Sequence, residues 1–370
     1  MTSRKEVRLT QLLPFGLSAL GPFNSVIFNF VNISNEEETN MKKIISIVIV
    51  CLISFVFAAS AFAAPEYTIK VGSIVSDTHA DMIAMKKVFV PAIENGSKGR
   101  IKVELYPNAQ LGGDRELCEA VQLGTIQMAL PASSALAGFD KRIQVLDLPY
   151  LFTSRKAAFE ALDGILGNKI NEYVLAKGFI NLGYAENGMR HLTNSKRPVH
   201  SPADIKGMKI RTMENPMHIA YFKALGANPA PMSWGELYTA LQQGTVDAQE
   251  NPYAMIVDGK FYEVQKYVSE TGHVFSVTML IANKKFIEKL PEDLRKIVIK
   301  AGHDFAIEQR KTIAGLEAGF KAEAIKGGMT ANELTAAEKK AFVAPTAGVY
   351  KQFEKDLGKE IMDIAKKVQK

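Results

Sequence analysis

The stretch SWGELYTALQQGTVDAQENP, residues 233–252, carries the pattern on which the fold is read. Ser233 and Glu236 are spaced as a capping box, in which the hydroxyl serves an early helical N–H and the acid reaches back to the cap. A helix therefore opens through Leu237-Tyr238-Thr239-Ala240-Leu241 and stops at Gly244, after which Val246 to Gln249 reads as a strand.

Working outward, the same alternation persists. Thr68 to Val71 predicts a strand, His79 to Ile93 an amphipathic helix ending at Asn95-Gly96, and Ile101 to Leu105 a second strand. Asp114 to Leu123 predicts a helix stopped by Gly124, while Val145 to Phe152, apolar with Pro149 inside, reads as a buried crossing. Ser201-Pro202-Ala203-Asp204 marks a short helical turn, and Gly207 to Arg211 alternates, with Met208 and Ile210 on one face and Lys209 and Arg211 on the other. From Pro291 the chain is mostly helical: one long segment to about Ile325, a start at Thr335-Ala336-Ala337-Glu338, and an amphipathic stretch from Val349 to Val368. Strand–helix alternation of this kind predicts an α/β protein with largely parallel sheets.

Residues 41–64, MKKIISIVIVCLISFVFAASAFAA, join a basic start and an apolar run to the small-residue triplet Ala61-Phe62-Ala63. That is the architecture of a cleavable secretory signal peptide, assigned to 41–63, and it predicts a periplasmic protein. Residues 1–40 are then read as a mis-assigned upstream extension, with Met41 the true start. Cys51 leaves with the signal and Cys118 remains alone, so no disulfide framework is expected. The net charge of +6 is spread along the chain without a Lys/Arg-rich block, which argues against nucleic-acid binding.

The sequence holds no phosphate-cradling loop before a lysine, no dinucleotide fingerprint, no nucleophile elbow, no His-Glu-x-x-His and no paired cysteines for zinc. No enzyme activity, metal or cofactor is expected. What it does hold is a set of groups suited to gripping an anion: Arg190, Arg211 and Asn251. A guanidinium offers parallel donors that match both oxygens of a carboxylate.

From Val71 to about Leu290 the chain resembles the solute-binding receptors of TRAP transporters, the DctP family. The segments that carry the resemblance are Tyr106-Pro107 with Leu111-Gly112-Gly113-Asp114-Arg115-Glu116, Glu119 to Gly124, Leu148 to Phe152, Asp204 to Arg211, Leu225-Gly226-Ala227 before Pro231-Met232, and Glu236 to Asp247 through Glu250-Asn251-Pro252. The resemblance implies a two-lobed periplasmic binding protein with a strand hinge and long carboxyl-terminal helices, lobe I being 64–187 with 277–316 and lobe II 188–276 with 317–370. It further implies that Arg211 is the principal carboxylate-binding residue and that Arg190 and Asn251 assist it. Asp114, Glu116, Trp234 and His79 are additional ligand-binding candidates. The expected ligand is a small organic acid (a dicarboxylate, a hydroxy- or keto-acid, or a sugar acid) and the expected partners are integral-membrane transporter subunits, the receptor itself acting as a monomer. Pro131-Ala132-Ser133-Ser134-Ala135 lacks the charged contacts of the family's sialic-acid receptors. A sensor feeding a signalling partner and, more remotely, a hydrolase or lyase using Arg211 with Glu250 are the alternatives.

Overall fold

A computed structural model describes residues 40–49 and 64–369 of the chain. Residues 40–49 are helical, and no helix among the described residues is long and apolar enough to cross a membrane. The remainder of the expected signal segment, with its Ala61-Phe62-Ala63 triplet, and residues 1–39 lie outside the described residues.

The second compact unit runs from Pro65. It begins with β1 (Tyr67–Gly72), α1 (Ala80–Ala84), a π-helical turn (Met85–Phe89), α2 (Val90–Gly96), β2 (Ile101–Tyr106), α3 (Asp114–Leu123) and β3 (Met128–Ala129). After 3-10 turns at Ser133–Gly138 and Lys141–Asp147 come α4 (Arg155–Leu162), α5 (Ile165–Ala176) and β4 (Phe179–Met189). Then follow β5 (His191–Asn194), β6 (Lys209–Thr212), α6 (Pro216–Ala224), β7 (Asn228–Pro231), α7 (Trp234–Gln242), β8 (Ala248–Asn251), α8 (Tyr253–Asp258), β9 (Tyr267–Glu270) and β10 (Phe275–Asn283). The chain finishes with α9 (Lys284–Lys289), α10 (Glu292–Lys326), β11 (Thr330–Glu333), α11 (Ala336–Val343), α12 (Thr346–Leu357) and α13 (Lys359–Val368).

The strands form two sheets, ordered β2-β1-β3-β10-β4 and β11-β9-β5-β8-β6-β7. The sheets are mixed rather than largely parallel. β1 runs parallel to β2 and β3, and β6 parallel to β7 and β8, whereas β10 is antiparallel to β3 and β4, and β5 antiparallel to β8 and β9. The reason is the crossing: β4 and β5 carry the chain out of the first sheet into the second, and β9 and β10 bring it back in the opposite direction. Arg190 is the single residue between β4 and β5, and its N–H donates to Val274 O on the returning segment at 2.8 Å.

The helix α10 ties the crossing down, because it packs on α1, β4 and α8. Gly302 makes the close approach possible, since a Cβ there would lie 2.5 Å from Leu182 Cβ. About two turns further on, Gln309 Nε2 donates to Asp81 Oδ1 at 2.7 Å and to Glu186 O at 2.8 Å, so a buried amide fixes the helix to α1 and β4 together.

Several local expectations change in detail. The strand read at 246–249 lies at Ala248–Asn251. The amphipathic tail is two helices, α12 and α13, broken at Gly358, whose φ of 82° is left-handed. Their apolar residues Val349, Phe353, Leu357 and Ile361 join the large cluster built on the first sheet. The carboxyl-terminal helices therefore reach the first sheet's core as well as α6 beside the second sheet; an amphipathic stripe shows that a helix must be covered but not by what.

Candidate functional site

Between the sheets lies a cavity of about 130 Å³ whose wall includes Asp114, Asn187, Arg190, Arg211, Ser233, Trp234 and Asn251, with Ile74, Phe139, Met213, Met232 and Met255 among its apolar surfaces. Five of the seven residues singled out from the sequence thus share one wall. His79 and Glu116 do not. His79 Nδ1 accepts from Asp81 N at 3.2 Å as the cap of α1, and the Glu116 carboxylate folds back beside Gly113 on the outer side of α3.

Arg211 sits in β6 between β7 and β8, opposite Ala230 and Gln249. Ile210 faces the core of the second lobe, so strand alternation turns Arg211 to the other face. The side chain is buried, and its Nε donates to Met232 O at 2.9 Å, but no carboxylate among the described residues lies within ion-pair distance. Burial lowers its pKa to about 10, with nearby Arg190 acting in the same direction against Glu250 and Asp114.

Arg190 is in a different condition. It is fully buried, and Nε and Nη2 donate to the Glu250 carboxylate at 2.5 and 2.8 Å while Nη2 also reaches Glu250 O at 2.6 Å. Only Nη1 is left without a partner. The arginine expected as a second anion grip therefore arrives with its own counter-ion and keeps one unpaired nitrogen, Nη1, on a residue of the cavity wall.

Glu250 anchors a buried network behind the wall. His273 Nε2 lies 3.0 Å from Glu250 Oε2, and His218 stands between Glu250 Oε1 at 3.5 Å and Asp147 Oδ1 at 3.2 Å. Burial would raise the Glu250 pKa, yet Arg190 and the histidines hold it well below the usual carboxylate range. Burial also works to lower His218, but Asp147 and Glu250 together raise it to about 9. Asp147 in turn accepts from Ser134 Oγ and, at 2.9 Å, from Asn215 Nδ2.

Asn251 donates one amide hydrogen to Gln249 Oε1 at 2.6 Å, which leaves its second for the cavity. Trp234 packs on Phe261 with ring centroids 5.2 Å apart. Ser233 was read as a capping residue, but its hydroxyl makes no capping bond and it lines the cavity instead. Asn187 and the His218–Glu250–His273 network were not singled out as a site; they come together through contacts between segments far apart in the chain, from 23 residues for His273–Glu250 to 89 for Asn187–Ser276, for which no local spacing gives a signal.

The family model of bacterial extracellular solute-binding protein, family 7, matches residues 71–356. A solute-binding protein of Verminephrobacter eiseniae is 40% identical over 82% of this chain and 90% of its own length. The 2,3-diketo-L-gulonate-binding periplasmic protein YiaO of Escherichia coli is 38% identical over 70% of this chain and 78% of its own. Among solved structures, a TRAP periplasmic solute-binding protein from a Polaromonas species, crystallised with D-erythronate, superposes with a TM-score of 0.78 at 36% identity, covering 82% of this chain and 98% of that one. The chain belongs to the DctP family of extracellular solute-binding proteins, two-lobed receptors of TRAP transporters that bind their solutes and are not enzymes.

Proposed function

We propose that this protein is the periplasmic subunit of a TRAP-type secondary transporter, capturing a small organic acid by its carboxylate and delivering it to integral-membrane subunits. The observation that carries the reading is Arg211: a guanidinium buried at the cavity wall with no carboxylate partner of its own. Burying a charge without a partner is unfavourable, and a ligand carboxylate removes that penalty through two parallel charge-assisted bonds. The free Nη1 of Arg190 and the second amide hydrogen of Asn251 add donors, and Trp234 offers an apolar face.

Capture by closure requires the ligand to favour the shut state, and moving a mostly open receptor to mostly closed takes roughly 5 kcal/mol of differential binding. Charge-assisted hydrogen bonds of about 1.5–3 kcal/mol each, two from Arg211 alone, are of the right size. Export through the 41–63 segment and action as a monomer complete the reading, and the names of the relatives that bind 2,3-diketo-L-gulonate and D-erythronate support a carboxylic acid as the ligand. A thermal-shift screen of organic acids tests it, since a ligand at 100 times its dissociation constant adds about 2.7 kcal/mol. Arg211→Ala is expected to lose the shift produced by the acid that stabilises the wild type; an undiminished shift in that variant overturns the reading.

A further inference from the structure

Two oxygens on the cavity wall have no hydrogen-bond partner, and both are acceptors. Asp114 Oδ1 and Asn187 Oδ1 are shut off from solvent, yet no group among the described residues donates to them. Asn187 is only 6% exposed and spends its amide nitrogen on Ser276 Oγ at 3.3 Å, which leaves the carbonyl oxygen turned to other work. Asp114 opens α3 after Gly113; burial raises its pKa to about 7 against one backbone N–H, that of Ala132, and the charges of Arg211 and Arg190. Buried acceptors without donors are rare and unfavourable, so a ligand that fills this cavity gains by bringing O–H groups to them.

The charges on the wall point the same way. Arg190 is neutralised by Glu250, so Arg211 is the one buried wall cation without a paired carboxylate. Arg115, also on the wall, is 61% exposed and lies 3.1 Å from Glu119. One ligand carboxylate is therefore compensated. A second would approach Asp114, Glu119 and Glu214, and would bring no hydrogen to either orphaned oxygen.

We propose that Asp114 and Asn187 form a hydroxyl-reading subsite, making the solute a hydroxylated monocarboxylic acid in preference to an unsubstituted dicarboxylate. The proposal rests on the carboxylate reading of Arg211 and narrows it to a substrate class.

The test is calorimetric titration of the purified protein with D-erythronate and with succinate, both four-carbon acids, so that chain length is constant. Wild-type protein is expected to bind D-erythronate at least about tenfold more tightly, the effect of one hydrogen bond. Asp114→Asn and Asn187→Ala are each expected to weaken D-erythronate about tenfold while changing succinate less than threefold. Equal or tighter binding of succinate by the wild type, binding of neither acid at millimolar concentration, or variants that weaken both acids alike would each overturn the subsite. The wild-type comparison decides without any variant having to fold. Arg211→Ala separates the two layers: if it binds either acid as the wild type does, the carboxylate reading fails, whereas loss of both acids together with no hydroxyl preference in the wild type removes the subsite alone.

Discussion

Arg190 and Glu250 are locked together out of solvent at the point where the chain leaves the first sheet for the second, with two parallel N–H···O bonds of 2.5 and 2.8 Å. The pairing divides the labour of the two cavity arginines. Arg190 holds the crossing in place, and Arg211, without such a partner, is the cation that the proposed carboxylate would compensate.

Removing the carboxylate should therefore damage stability before anything else. Glu250→Gln leaves the Arg190 charge buried and unpaired and takes a partner from both His218 and His273. Breaking a buried pair from one side costs about 3–5 kcal/mol. Denaturant unfolding is expected to show a loss of that order; a loss under about 1 kcal/mol would mean that solvent reaches the pair.

Arg211 should behave in the opposite sense. Arg211→Met keeps much of the side-chain volume and removes a buried charge that has no ion-pair partner in the unliganded protein. Unliganded stability is expected to hold or to rise by about 1 kcal/mol, while the acid-induced shift disappears. A strongly destabilised variant that still binds the acid would show that Arg211 is structural.

The two results together would mirror what was legible in the chain. Spacing alone placed α3, β6 and α7, because capping residues, glycine stops and strand alternation act over a few neighbours; that Asp114, Arg211 and Trp234 share one cleft was implied only by the family resemblance. Ser233 was misjudged because its sequence position suits a cap, and only the fold shows that its hydroxyl makes no capping bond. The Arg190–Glu250 pair and the acceptor oxygen of Asn187 could not be seen, since each depends on which strands meet across the crossing. The docking of α12 and α13 on the first sheet was hidden for the same reason.

His218 gives the protein a pH dependence of definite sign. Its facing charged groups are Asp147 and Glu250, with His273 and Arg190 on the far side of Glu250, and the balance raises its pKa to about 9. A histidine with a folded pKa above its unfolded value of about 6.5 contributes stability that is full below about pH 6.5 and is lost as pH rises toward 9. Unfolding free energy is expected to fall across that window in the wild type, and to fall less in His218→Gln; equal slopes would place the titration elsewhere.

Asp258, at the end of α8, reaches Ser76 beyond β1: its carboxylate accepts from Ser76 N at 3.1 Å and from Ser76 Oγ at 2.5 Å. The contact joins the segment after Ile74 to the helix that carries Met255, and both of those residues line the cavity. It involves no residue of the cavity wall, so its removal is expected to act on closure and not on the ligand contacts. Asp258→Asn is expected to weaken acid binding about three- to tenfold, from hydrogen bonds of about 1 kcal/mol, chiefly by faster release in stopped-flow measurements. An unchanged release rate would show that closure does not depend on this contact.

A crystal structure of the protein with D-erythronate bound bears most directly on the role of Arg211. The expected result is a ligand carboxylate within about 3 Å of the Arg211 guanidinium nitrogens, in parallel geometry, with Met232 O still accepting from Nε. A bound acid whose carboxylate is anchored by other residues, with the Arg211 guanidinium directed away from it, would contradict that role.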